Sequence, residues 1–240
     1  MKTIIGRKIG MTSVFAEDGT QYPVSVIEVL PNTVIQKKTV DKDGYEAVVV
    51  GYEPKKKNIT KAMKGVFDKA HSETKADVFE LKGDEVYKYE VGQDILCSIF
   101  EAGDNVDVTG TSKGRGYSGI IKRYHATIGP KGHGSGYHRQ IGSLATNGRT
   151  NNRVHPGKTM SGHHGHYTRT TLNLTVVAVY PDKNAILIKG SVPGPNKSII
   201  KIRTATRDPN LKHAVKPLIN RTVAKAAAPV AEAAPAAEAK

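Results

Sequence analysis

Apolar and polar positions change places in short bursts over residues 4 to 52, and most bursts end in a turn signal. Val14-Phe15 runs into Glu17-Asp18-Gly19, where Asp-Gly tolerates the positive φ of a hairpin turn. Val24 to Val29 is dense in β-branched residues and predicts a strand. Val34 to Val40 follows Pro31-Asn32, and Asp43-Gly44 makes another turn before Ala47 to Tyr52. Several strands separated by tight turns predict a small sheet or barrel, and closure would remove exposed strand edges.

The period changes after Pro54-Lys55-Lys56-Lys57. Ile59, Met63, Val66, Phe67 and Ala70 recur at helical offsets, with Lys57, Lys61 and Lys64 off that stripe, so the lysines read as a solvated face above a core. Residues 76–92 mix Val78, Phe79 and Leu81 with acidic and aromatic residues and complete a small α/β insertion. Strand patterning returns at Asp94 to Phe100 and at Val106 to Thr109. Further on, Leu172, Leu174, Val176, Ala178 and Tyr180 alternate strictly, the mark of a half-buried strand. Pro181-Asp182-Lys183-Asn184 turns it into Ala185 to Lys189, and a last strand spans Ser198 to Arg203.

The resulting fold class is mainly β with a small α/β insertion. A β-barrel domain is expected from residues 1–53, 94–124 and 168–208, with the insertion at 54–93. Residues 125–167 form an irregular basic extension between strands; the pattern is lost from Pro209, and 209–240 is an Ala/Pro/Lys-rich tail of which residues 223–240 are expected to be disordered or a frayed helix.

Charge changes the picture at one place. Between Asp107 and Asp182 there is no Asp or Glu, yet Lys113, Arg115, Lys122, Arg123, Lys131, Arg139, Arg149, Arg153, Lys158 and Arg169 all lie there. Of the net charge of +14, +10 belongs to this stretch, so the positive charge is a local device. Unmixed positive charge repels itself, and a polyanion relieves that repulsion. A flexible basic linker would explain the thirteen glycines of the stretch but not the absence of acids. From Ile128 to Tyr167 no apolar periodicity is sustained, and a segment this long without a core face is ordered by a partner or not at all.

Candidate chemistry narrows the function further. Gly110-Thr111-Ser112-Lys113-Gly114-Arg115-Gly116-Tyr117 lets a backbone approach phosphates closely, but no Gly-Lys-Ser/Thr closes a nucleotide-binding loop. His163, His164 and His166 cluster with His133 and His138 nearby, without the Cys or carboxylates that usually complete a zinc site. No carboxylate orients these imidazoles and no nucleophile motif is present, so no catalytic residue, metal or cofactor is expected. Cys97 sits in the apolar run Ile95 to Phe100 and reads as a core residue. No run of 18 apolar residues and no signal-peptide core is present, which points to a cytoplasmic protein without a membrane partner or a small-molecule substrate.

The motifs resemble a known family. Gly6-Arg7-Lys8-Ile9-Gly10-Met11-Thr12 and Phe15-Ala16-Glu17-Asp18-Gly19 are similar to the opening of ribosomal protein L-three of the large subunit, bacterial type. Val106 to Gly119, Gly142-Ser143-Leu144, Pro156 to His163, Arg169-Thr170-Thr171 and Val192-Pro193-Gly194-Pro195 resemble later motifs of the family in its order. The resemblance implies a translation-factor-type barrel and an extension reaching 23S rRNA near the peptidyl transferase centre. It also implies an early role in subunit assembly, and ribosomal proteins L-fourteen and L-nineteen as neighbours. Many bacterial members carry a methylated Gln in the extension; here Ala145 to Arg153 contains none, so that modification is not expected.

The rRNA-binding residues expected are Lys113, Arg115, Lys122, Arg123, Lys131, His133, Arg139, Arg149, Arg153, Lys158, His163 and Arg169. Arg suits bidentate phosphate contact and Lys a point-charge contact. Two rivals are a free DNA- or RNA-binding regulator with a sequence preference, and a metal-dependent enzyme built on the histidines.

Overall fold

Six antiparallel strands close on themselves in the computed structural model, which describes residues 1–55, 57–144 and 153–219. β1 (Thr3–Phe15) and β2 (Gln21–Glu28) form the first hairpin, with Gly19 at φ 81 in its turn. β3 (Asn32–Lys38), β4 (Ala47–Pro54), β5 (Lys75–Leu81) and β6 (Asp94–Ile95) follow, then β7 (Asn105–Thr111). β8 (Tyr117–Ser118) and β9 (Gly162–His163) precede β10 (Thr168–Tyr180), β11 (Ala185–Lys189) and β12 (Ile199–Thr204). The barrel order is β1-β12-β7-β10-β11-β2, and β2 closes back on β1.

Alternation along the strands sorts the side chains between two layers. Ile4, Ile27, Val106, Val108, Val176, Ile186, Ile188, Ile200 and Ile202 are buried in one cluster. Val24, Val177 and Leu187, the last two beside inward residues in sequence, form a second cluster covered by Val215 and Leu218. Full burial of each such side chain stabilises by about 1.5–3 kcal/mol. Gly6 permits a tight crossing, since a Cβ there would sit 2.8 Å from Ile27 Cγ2 and 2.9 Å from Glu28 O.

The strands β3 and β4, expected in the barrel, instead pair with β5 and β6 in a four-stranded sheet of order β5-β4-β3-β6. Hydrophobic pattern alone does not state which strand a strand will pair with. Asn32 joins the two sheets: Ile5 N–H donates to its Oδ1 at 3.3 Å, and its Nδ2 donates to Ile5 O at 3.0 Å. The core is continuous across this joint, with Val34, Val50, Tyr52 and Leu81 in the same cluster as Ile4 and Ile5. Cys97 is buried there too, in a 3-10 turn (Cys97–Ile99) where a longer strand was expected, and burial pushes its thiol pKa up.

The helix Lys61–Lys69 begins at Thr60, whose hydroxyl accepts from Met63 N–H at 3.3 Å. Its buried stripe is narrower than expected: Phe67 and Ala70 pack on Ile35 with Met63 beside them, while Ile59 and Val66 are exposed. Among the described residues no helix is long and apolar enough to cross a membrane.

Residues 209–219, where the sequence pattern is lost, are held to the barrel. His213 N–H donates to Gly103 O at 2.8 Å and Ile219 N–H to Phe15 O at 3.0 Å. Lys212 pairs with Glu101, and Lys216 with Asp18. Single bridges and two apolar contacts, rather than a periodic run, hold residues 209–219, so no pattern announces them. The rest of the predicted tail, 220–240, lies outside the described residues.

Candidate nucleic-acid interface

The acid-free segment leaves the barrel from β7 and returns through β10, with Thr111 opposite Thr168 and Gly110 opposite Arg169. Pairing continues beyond the barrel as a narrow stem. Ser112 N–H donates to Tyr167 O at 3.0 Å, Arg115 N–H to His164 O at 2.8 Å, and His164 N–H to Gly116 O at 2.9 Å. Tyr117 opposite His163 and Ser118 opposite Gly162 make β8 and β9. Past them, in a short helix (Ile120–Tyr124), Arg123 Nη1 donates to Met160 O at 2.9 Å.

Glycine makes this pairing sterically possible. Gly165 stands at φ 78, and a Cβ on it would lie 2.1 Å from Lys113 O. The Val192-Pro193-Gly194-Pro195 turn braces the root. Gly194 is at φ 101, where a Cβ would approach Thr111 O to 2.9 Å, and Lys8 Nζ donates to Val192 O at 2.7 Å. Lys8 is thereby committed inside the protein, and burial, then the nearby Lys113 charge, lowers its pKa.

Farther along, residues 129–138 close a small loop, in which Gly129 N–H donates to His138 O at 3.0 Å and His138 Nδ1 donates to Pro130 O at 2.9 Å. Lys158 Nζ donates to Ser143 O at 2.6 Å, joining the two sides of the segment again. Polar bonds do the work here: between Ser112 and Tyr167, Ser118 and Ile120 alone are buried among the described residues.

The expected site residues divide by what they touch. Lys113, Arg115, Lys122, Lys131, His133, Arg139, Arg153, His163 and Arg169 are exposed. Arg123 and Lys158 are half-buried and already hold backbone carbonyls, so they shape the segment as well as charge it. Arg149, with the Ala145 to Asn152 stretch that lacks Gln, lies outside the described residues.

Among the described residues none of these cations pairs with a carboxylate, whereas Lys2, Arg7, Lys38, Arg203, Lys212 and Lys216 all do. The contrast separates a conventional protein surface from a cationic one that meets no carboxylate among the described residues. The same residues contain no group of three His, Cys, Asp or Glu that could hold a metal ion.

Four residues of the segment stand outside the rRNA-binding set expected from the sequence. His164 Nδ1 is buried without a partner, and desolvation, then Arg115, Arg123 and Lys122, lower its pKa, so the imidazole is neutral at pH 7. Tyr117 meets His163 at an interplanar angle of 84° and 5.9 Å between centroids. The Arg123 guanidinium lies 5.0 Å over the Tyr124 ring, and Arg169 4.9 Å over Tyr167. The signal for the tyrosines was present as aromatic residues interleaved with basic ones.

A closed barrel from which an acid-free segment projects, its cations paired with no carboxylate among the described residues, defines a barrel protein with a cationic arm. Comparison with known proteins gives the lineage. The model of the family "Ribosomal protein L3" matches residues 70–183. Two curated relatives, both "Large ribosomal subunit protein uL3" from strains of Lactobacillus delbrueckii subsp. bulgaricus, are 48% identical over 207 residues, covering 86% of this chain and 98% of theirs. The chain belongs to the ribosomal protein L3 family.

Proposed function

We propose that the chain is a non-enzymatic structural component of the large ribosomal subunit that binds 23S rRNA directly through the segment between β7 and β10. The observation that carries this is the set of exposed cations that, among the described residues, pair with no carboxylate, in a segment free of acids. Most of their contacts would set position on the phosphate backbone, with specificity arising from RNA shape.

Three finer readings rest on the resemblance over residues 6 to about 203. The barrel is of the translation-factor type. Residues 125–167 brace rRNA near the peptidyl transferase centre, and the chain joins the subunit early in assembly with L-fourteen and L-nineteen as neighbours. Its place is then the cytoplasmic ribosome.

Sedimentation of the tagged chain tests the reading. Co-migration with the large subunit that survives a high-salt wash is expected, because a threaded component is held by more than screened phosphate contacts. Recovery at the top of the gradient both before and after the wash would overturn it.

A further inference from the structure

Three tyrosines along the stem are the most exposed tyrosines among the described residues. Tyr117 is 72% exposed, Tyr124 45% and Tyr167 43%. Among the described residues their hydroxyls bond nothing, whereas Tyr52 donates to Glu28 O and Tyr137 donates to Gln140 O. Each ring is nevertheless held at one side: Tyr124 by Arg123, Tyr167 by Arg169 and Tyr117 by the His163 ring. A ring fixed on one side and open on the other, beside a guanidinium or imidazole and remote from any carboxylate, is suited to a planar, electron-rich, anionic ligand.

We propose that Tyr117, Tyr124 and Tyr167 are stacking sites for unpaired RNA bases, so that the stem of the arm recognises single-stranded or looped nucleotides rather than helix. The inference rests on the RNA-binding reading above and adds the chemical class of nucleotide taken at that site. Paired bases in an A-form helix are stacked on one another and present no free face, whereas a splayed base does. The Arg123 and Arg169 guanidiniums lie over the rings of Tyr124 and Tyr167, and their donors, apart from the Arg123 Nη1 that holds Met160 O, are left for the phosphate of the stacked nucleotide. Such stacking tolerates any base, because every base has a π-face.

Binding of the full chain to a labelled short single-stranded RNA and to a duplex of equal length, at physiological salt, tests the proposal. Tyr117→Ala, Tyr124→Ala and Tyr167→Ala are each expected to weaken the single strand roughly tenfold, with duplex binding within about twofold of the parent. Tyr→Phe at each position is expected to restore single-strand binding, since the ring and not the hydroxyl is used. Amide exchange at Arg115 and His164 reports whether the stem stays paired in each variant. No loss on the single strand, equal loss on both RNAs with or without a loosened stem, or failure of Phe to restore binding overturns the proposal. Lys113→Ala with Arg115→Ala separates the two readings. If that double variant weakens neither RNA, the RNA-binding reading itself fails; if it weakens both while the tyrosine variants change neither, stacking alone is wrong.

Discussion

Arg203 on β12 stands opposite Asp107 on β7 in the barrel ladder, and its Nη2 donates to Asp107 Oδ2 at 3.3 Å. Asp107 is the last carboxylate before the acid-free segment, and it is fully buried. It also accepts from Asn173 N–H, Thr206 N–H and the Thr206 hydroxyl, each at 3.1 Å. Asn173 is at φ 54 inside the irregularity of β10 between Thr171 and Leu174. One carboxylate thus fixes both the bend of β10 and the exit of β12.

Removing that carboxylate breaks four part-buried hydrogen bonds at once. Asp107→Ala is expected to cost about 3 kcal/mol in equilibrium urea unfolding of the full chain. Arg203→Ala removes a partner that is 37% exposed and should cost well under half as much. Equal losses in the two variants would contradict the account.

Gly165 and Gly116 both have positive φ in the stem, at 78 and 66, but differ in what surrounds them. Gly165→Ala drives a methyl group into Lys113 O, while nothing lies within 4 Å of a Cβ on Gly116. Gly165→Ala is therefore expected to speed amide exchange at Arg115 and His164 by more than tenfold, leaving the barrel midpoint unchanged. Gly116→Ala carries backbone strain alone, on the order of 1 kcal/mol.

Docking of residues 209–219 should depend on acid. Hydrogen bonds from Lys216 and Thr20 hold the Asp18 pKa down to about 2, below the usual value of about 3.9. A carboxylate depressed on folding contributes stability that is present above its unfolded pKa and lost as pH falls through the folded one. Exchange of the Ile219 amide is thus expected to rise as pH falls from about 4 to about 2, after correction for intrinsic exchange. Asp18→Asn should abolish that dependence, and a parent chain showing no rise would refute it.

Salt dependence gives a count of phosphate contacts. Replacing Arg115, Lys122 and Arg169 together by Ala is expected to reduce the slope of log affinity for rRNA against log salt by about 2–3. A lower affinity with an unchanged slope would mean that the three side chains act on folding, not on phosphates.

The sequence carried more of this protein in some places than in others. The alternation from Leu172 to Tyr180 marks β10 correctly, yet Leu172 itself is exposed, beside the irregularity of the strand between Thr171 and Leu174. Burst-and-turn patterning locates β3 and β4 but is silent on partners, and the buried Asn32 that sets them against β1 looks like any turn residue. Charge singled out the segment proposed as the interface, since the absence of acids is a property of composition. Its internal order escaped notice because it rests on backbone bonds, on Arg123 and on Gly165, none of which has a period.

The pairing of Thr111 with Thr168 has a consequence for chain length. The two ends of the arm are held one strand spacing apart by the barrel whatever lies between them. Closing a longer loop costs only as the logarithm of its length, about 0.6 kcal/mol for each doubling. The arm can therefore lengthen, shorten or change sequence to follow its RNA at small thermodynamic cost, while the barrel that carries it stays as it is.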